Sequence, residues 1–281
     1  QDGIMRTYVQ PGCSSAPHFI VKGRIVPMRR LLVRTLGVVL FALIFGVLAA
    51  SASCAATVAA AASLQPALDV ILPEFSKDTG IKMEVVYSAS GNLAKQIENG
   101  APFDLYMSAD EKWARYLEEK GKVTDPRAFV QSPLVLWWKK TESPKEDGLK
   151  EPKVTVVIAD PEVAPFGKLA RKYLESRGLF ETMNKENRVI IMGDVMKAAL
   201  AAKAGGGDYA LLPLSNAQQL GEGSFSKVPA QPQVLFIANV KGRTTSETEK
   251  LVEYLSTEKA VKLFFSKGFE MASSQGKTGR N

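Results

Sequence analysis

The feature that most constrains this chain is an alternation along residues 57–267. Short apolar runs of strand character are followed, again and again, by longer segments of helical period. Such units bury their apolar faces by laying helices on a sheet, so the pattern predicts an α/β fold. The run 57–61 reads as a first strand. Leu64, Ala67, Leu68, Ile71, Leu72 and Phe75 then keep the i, i+3, i+4 spacing of a helix, with Pro66 in its first turn and Gly80 at its end. Strands over 82–87 and 104–107 and helices over 92–98 and 111–120 complete one unit. Leu134–Trp138 reads as a crossing strand, followed by a polar surface loop over 139–153. The alternation then restarts, with strands over 154–158 and 209–213 and helices over 168–177 and 194–204. Residues 229–232 read as a second crossing, into a strand over 234–239, and helices over 246–256 and 258–267 follow.

A chain that leaves one α/β unit, builds a second and returns makes two lobes joined by two crossover strands. A ligand then sits in the cleft between them, which helix N-termini line. The predicted boundaries are 56–135 with 232–281 for the first lobe and 136–231 for the second.

Residues 1–55 read as upstream sequence and a secretory signal. Met28-Arg29-Arg30 and Arg34 supply a positive start, 35–50 an uncharged apolar run, and Ser51-Ala52-Ser53-Cys54-Ala55-Ala56 a small-residue cleavage region. This predicts export to the periplasm, the alternative being a retained anchor. Ser51-Ala52-Ser53 is a poor match to a lipoprotein box, so Cys54 reads as a small residue near the cleavage site rather than a lipid attachment point.

The formal charge of +7 sits mainly in this leader, which holds six basic residues and one acid. The remainder is nearly balanced, with 30 basic and 28 acidic residues, and gives no reason to expect a nucleic-acid partner. Cys13, Cys54 and His18 also fall in or beside the leader, so residues 56–281 contain neither Cys nor His. That excludes disulfides, Cys/His zinc sites, thiol nucleophiles and His-based triads from the remainder of the chain, and points away from an enzyme.

Four strand-to-helix junctions share a design. Ser63 ends Ala59-Ala60-Ala61-Ala62-Ser63; Ser90 precedes Gly91-Asn92; Asp194 precedes Val195; and Pro165-Phe166-Gly167 opens another helix. Each helix start exposes unpaired N–H groups and the positive end of the helix dipole, and several aimed into one cleft make an anion site without charged side chains. A serine or aspartate before a helix is by itself only a cap. Asp194 reads as one, which leaves the amide of Val195 as the donor.

The stretches Ala59-Ala60-Ala61-Ala62-Ser63-Leu64, Ser90-Gly91-Asn92-Leu93-Ala94-Lys95-Gln96-Ile97 and Gly100-Ala101-Pro102-Phe103-Asp104-Leu105-Tyr106-Met107-Ser108-Ala109-Asp110 resemble the periplasmic molybdate-binding proteins. So do Lys112-Trp113, Ala159-Asp160-Pro161-Glu162, Pro165-Phe166-Gly167 and Gly268-Phe269, and the resemblance spans 57–270. It implies a two-lobed, type II solute-binding fold that hands molybdate or tungstate to the membrane permease of an ABC transporter, with no cofactor; a monomer is expected. The family's serine ligands fall on Ser63 and Ser90, and its amide donors on Phe166 and Val195. Any metal is then the centre of an oxyanion held by Ser63 and Ser90, not a bare cation. Where many members have a tyrosine hydroxyl, this chain has Pro213, which offers neither hydroxyl nor N–H; Ser215 and Asn92 are candidate substitutes. The same departure keeps sulfate, phosphate or an organic anion open as the ligand, and an enzyme on the same scaffold is a more distant alternative.

Overall fold

Parallel pairing about one alanine-rich strand, β1 (Ala56–Ala61), organises the first half of the computed structural model, which describes residues 56–272. The signal-peptide reading and Cys54 lie outside the described residues. Strand β1 pairs in parallel with β2 (Met83–Ser88) on one side and β3 (Leu105–Ser108) on the other. Beyond β3 the sheet turns antiparallel, with β10 (Gln233–Val240), β4 (Val123–Ser132) and the short edge strand β11 (Glu270–Met271), in the order β11-β4-β10-β3-β1-β2. The second sheet has five strands. β6 (Val156–Ala159) runs parallel to β7 (Val189–Met192) and β8 (Tyr209–Pro213), while β5 (Leu134–Trp138) is antiparallel to β8 and β9 (Ser224–Lys227). The chain crosses between sheets twice, at Pro133 after β4 and over 228–232 after β9.

Side chains cap the helices that follow Asp110, Asp194, Thr245 and Thr257, whereas Ser63 and Ser90 make no cap bond. Helix α1 (Gln65–Thr79) carries Pro66 in its first turn, buries Leu68, Ile71 and Phe75, and stops at Gly80, whose φ of 74° a residue without Cβ adopts freely. Helix α2 (Ser90–Glu98) follows β2. Asp110 caps α3 (Glu111–Glu119) by accepting the Trp113 N–H at 3.0 Å. On the second sheet lie α4 (Pro165–Ser176), α5 (Phe180–Lys185), α6 (Val195–Lys203) and α7 (Leu214–Gln219). A Thr245/Thr248 capping box opens α8 (Ser246–Tyr254), and α9 (Glu258–Ser266) follows. Among the described residues no helix is long and apolar enough to cross a membrane.

The ten-residue β4 is not anticipated by the sequence pattern, because Pro126 argues against a strand. Two register shifts against β10 resolve the conflict: the extra residues bulge out of the ladder, with Asp125 at φ 53° beside the proline. Strands β7 and β9 and helices α5 and α7 are too short to show a period. One apolar cluster, including Val58, Leu105, Leu136, Ile158, Leu211 and Leu235, draws on both sheets. Trp137 is fully buried, and Trp138 stacks on Tyr209 with ring centroids 5.3 Å apart, so these tryptophans pack the crossing strand.

Candidate functional site

The carboxyl ends of the parallel strands of both sheets converge on one pocket, the place where open α/β sheets offer helix starts to a ligand. The first sheet contributes Ala61, Ala62 and Ser63 after β1, Ser88, Ala89 and Ser90 after β2, and Ala109 after β3. From the second come Ala164, Pro165 and Phe166 at the start of α4, and Asp194 with Val195 at the start of α6. Alanine dominates this lining, and side chains that short let main-chain groups come close to whatever occupies the space. No Lys or Arg is among the lining residues. The one carboxylate, Asp194, is engaged by its own helix: it accepts the Lys197 N–H at 2.9 Å and pairs with the Lys197 ammonium at 3.1 Å.

Ser63 lies in the single 3₁₀ turn Ala62–Leu64 that leads into α1. It is 1% exposed, and among the described residues its Oγ has no hydrogen-bond partner. An orphaned buried hydroxyl costs about 1–3 kcal/mol, so it marks a place where a ligand or water completes the structure. Its carbonyl accepts a bond from the Ser215 hydroxyl at 3.0 Å.

Ser90, the first residue of α2, is fully buried. Its Oγ accepts the Ala109 N–H at 2.9 Å, which leaves the hydroxyl proton available for donation into the pocket. The Ser90 carbonyl accepts a bond from the Tyr106 hydroxyl at 2.8 Å, and burial pushes that phenol above its ordinary range, keeping it a donor.

Phe166 and Val195 contribute main chain. In α4, Pro165 has no N–H and Lys168 N–H already returns to the Ala164 carbonyl at 3.0 Å, so the Phe166 and Gly167 amides precede the first intrahelical bond. A Cβ on Gly167 would lie 2.3 Å from the Ala159 carbonyl oxygen, which is why this helix start can sit so tightly on the end of β6. In α6 the Lys197 and Ala198 amides bond back to Asp194, and those of Val195 and Met196 are the free pair. Both helix starts add the positive end of a dipole.

The cleft is closed over this pocket. Gly91 N–H in α2 donates to the Val163 carbonyl before α4 at 2.9 Å, linking the two halves directly. A side chain could not fit there: a Cβ on Gly91 would lie 2.6 Å from the Trp113 ring and 3.0 Å from Val163 Cα.

Ser63, Ser90, Phe166 and Val195 thus share one pocket, whereas Pro213 ends β8 opposite Leu134 and is not part of the lining. Neither candidate substitute is there either, which corrects that expectation. The Ser215 hydroxyl is committed to the Ser63 carbonyl, and Asn92 is exposed. Sequence reasoning missed Ser88, Ala109 and Tyr106. Ser88 had a signal, standing two residues before Ser90 at a strand end; the other two act through contacts that no local pattern encodes.

Two α/β lobes on two crossing segments, closed over a pocket of hydroxyls and helix-start amides, define a solute receptor of the periplasmic-binding class. The family model for bacterial extracellular solute-binding proteins matches residues 56–270, and the chain belongs to that family. Molybdate-binding protein ModA of Haemophilus influenzae is 30% identical over 237 residues, covering 78% of this chain and 91% of that protein. ModA of Azotobacter vinelandii is 28% identical over 240 residues, covering 80% of this chain and 93% of its own length. The solved periplasmic molybdate-binding protein of Azotobacter vinelandii shares the fold, with a TM-score of 0.72 at 24% identity, covering 78% of this chain and all (100%) of that one.

Proposed function

We propose that this protein is a non-catalytic, extracytoplasmic receptor that captures molybdate or tungstate and delivers it to the permease of an ABC transporter. The lobes over 56–135 with 232–281 and over 136–231 are its closing halves. Ser63 and Ser90 donate hydroxyls to the oxyanion, and Phe166 and Val195 donate amides. The observation that carries this reading is the orphaned, buried Oγ of Ser63 in a pocket lined mainly by alanines, serines and helix starts, without a cationic side chain.

Neutral donors suit a doubly charged oxyanion because they replace its hydration shell without a counter-charge that would also hold other anions. Charge-assisted bonds of this kind are worth about 1.5–3 kcal/mol each. A handful of them offsets the cost of association and gives affinity in the micromolar to nanomolar range, about −8 to −12 kcal/mol. Discrimination against sulfate rests on the radius at which a rigid ring of donors fits one set of bond lengths.

Calorimetric titration of the purified protein with molybdate, tungstate, sulfate and phosphate tests the proposal. Heat with the first two alone is the expected result. Binding of sulfate or phosphate in their place would move the reading to another oxyanion, and silence with all four would discard it.

A further inference from the structure

The pocket places two serines alike, and each is held from behind by a second buried hydroxyl. Tyr106 donates to the carbonyl of Ser90, and Ser215 donates to the carbonyl of Ser63. Ser215 is 1% exposed and outside the pocket lining, so its hydroxyl reaches neither solvent nor ligand. It belongs to the short helix α7, remote in sequence from Ser63 by 152 positions. That helix is itself fixed: the Leu214 N–H donates to the carbonyl of Pro133, at the first crossing between the sheets, at 3.0 Å. Asn216, fully buried next to Ser215, extends its amide toward the Ala62 carbonyl at a longer 3.5 Å. The carbonyls of two successive residues, Ala62 and Ser63, are therefore met from one side by side chains of α7. Burying a hydroxyl and an amide in this way costs free energy unless their partners are well placed.

We propose that Ser215 is a positioning residue of the anion site, fixing the Ser63 peptide so that its unpartnered hydroxyl faces the pocket. The inference rests on the oxyanion-receptor reading and extends it to a residue that never touches the ligand. A single 3₁₀ turn has few internal hydrogen bonds to hold its shape. Without the Ser215 bond, the turn carrying Ser63 samples other peptide orientations, and only a fraction of molecules present the hydroxyl correctly. Affinity falls by that fraction.

Calorimetric titration with molybdate of the wild-type protein, Ser63→Ala, Ser215→Ala and the double variant tests this, with melting temperatures measured alongside. Ser215→Ala is expected to weaken binding about 3- to 10-fold. Because Ser215 acts through Ser63, the double variant should bind within about twofold of Ser63→Ala alone. A merely structural role would lower the melting temperature and leave the two losses to multiply, and multiplied losses overturn the proposal. Ser215→Cys, with a weak donor of similar size, should lie between wild type and Ser215→Ala, and serves if the alanine variant fails to fold. If Ser63→Ala weakens binding while Ser215→Ala matches wild type, the positioning role is wrong and the receptor reading stands. If Ser63→Ala itself binds as the wild type does, both are overturned.

Discussion

The two sheets bring different chemistry to the same pocket. The six-stranded side presents hydroxyls, Ser63 and Ser90, each on a turn or helix start behind a parallel strand. The five-stranded side offers main-chain donors, the amides at the starts of α4 and α6; its one polar side chain in the lining, Asp194, is tied to Lys197, and Phe166 and Val195 are buried. On the proposed reading both halves hold the anion with helix starts, yet only one of them can be edited by changing a side chain. The other is set by backbone, and by the close approach that Gly167 permits at the end of β6. The two serine hydroxyls also differ from each other: Ser90 Oγ already accepts a bond from Ala109, whereas Ser63 Oγ has no partner among the described residues.

That contrast is sharpest in Ser90→Ala. This variant removes a proposed anion donor and strands the Ala109 N–H, so affinity should fall by about 1.5–3 kcal/mol and the ligand-free protein should lose about 1–3 kcal/mol. Titration and thermal melting read the two losses separately. Ser63→Ala should show the first loss without the second, with the ligand-free melting temperature unchanged or raised, because it deletes an orphaned polar atom. Equal destabilisation of the two variants would break the distinction. Gly91→Ala acts on neither set of donors but on the clasp between the halves. Its methyl meets the Trp113 ring, so closure should be impaired by about 1–3 kcal/mol, seen chiefly as faster ligand release in stopped-flow measurements.

The smallest effect lies far from the site. Lys259 pairs with Glu74 and Asp78 at 2.7 and 2.6 Å, and its hydrogen bonds are the largest cause that holds both carboxyls below their ordinary values of 4.5 and 3.8, with the Tyr254 hydroxyl adding a second bond to Asp78. A depressed carboxyl contributes stability above its ordinary value and loses it as the pH falls through the folded value. Lys259→Ala should therefore melt slightly below wild type near neutral pH, and the gap should close in acid. Such exposed pairs contribute little, and ligand affinity should not change.

Much of this architecture was legible in the sequence because its signals are local. Strand β1 and helix α1 announce themselves by alanine-rich and 3.6-residue patterns, and Asp194 by its capping position. The junctions at Ser63, Ser90, Phe166 and Val195 stand out for the same reason, since a helix start has a short-range grammar. What stayed hidden depends on distant partners. Strand β4 is disguised by Pro126 until β10 supplies the opposing register for its bulges. Ser215 reads as a spare donor for the ligand until the fold brings it to the Ser63 carbonyl. Gly91 carries no local sign of its place in the fold, which depends on the approach of Val163 and Trp113.

The central claim is that one oxyanion sits between the two hydroxyls and the two helix starts. Its most direct test is an anomalous difference map, recorded at the molybdenum absorption edge, from crystals grown with molybdate. A single peak within hydrogen-bonding reach, through its oxygens, of Ser63 Oγ, Ser90 Oγ and the amides of Phe166 and Val195 is the predicted result. A peak elsewhere on the molecule, or an empty cleft in protein saturated with molybdate, would contradict it.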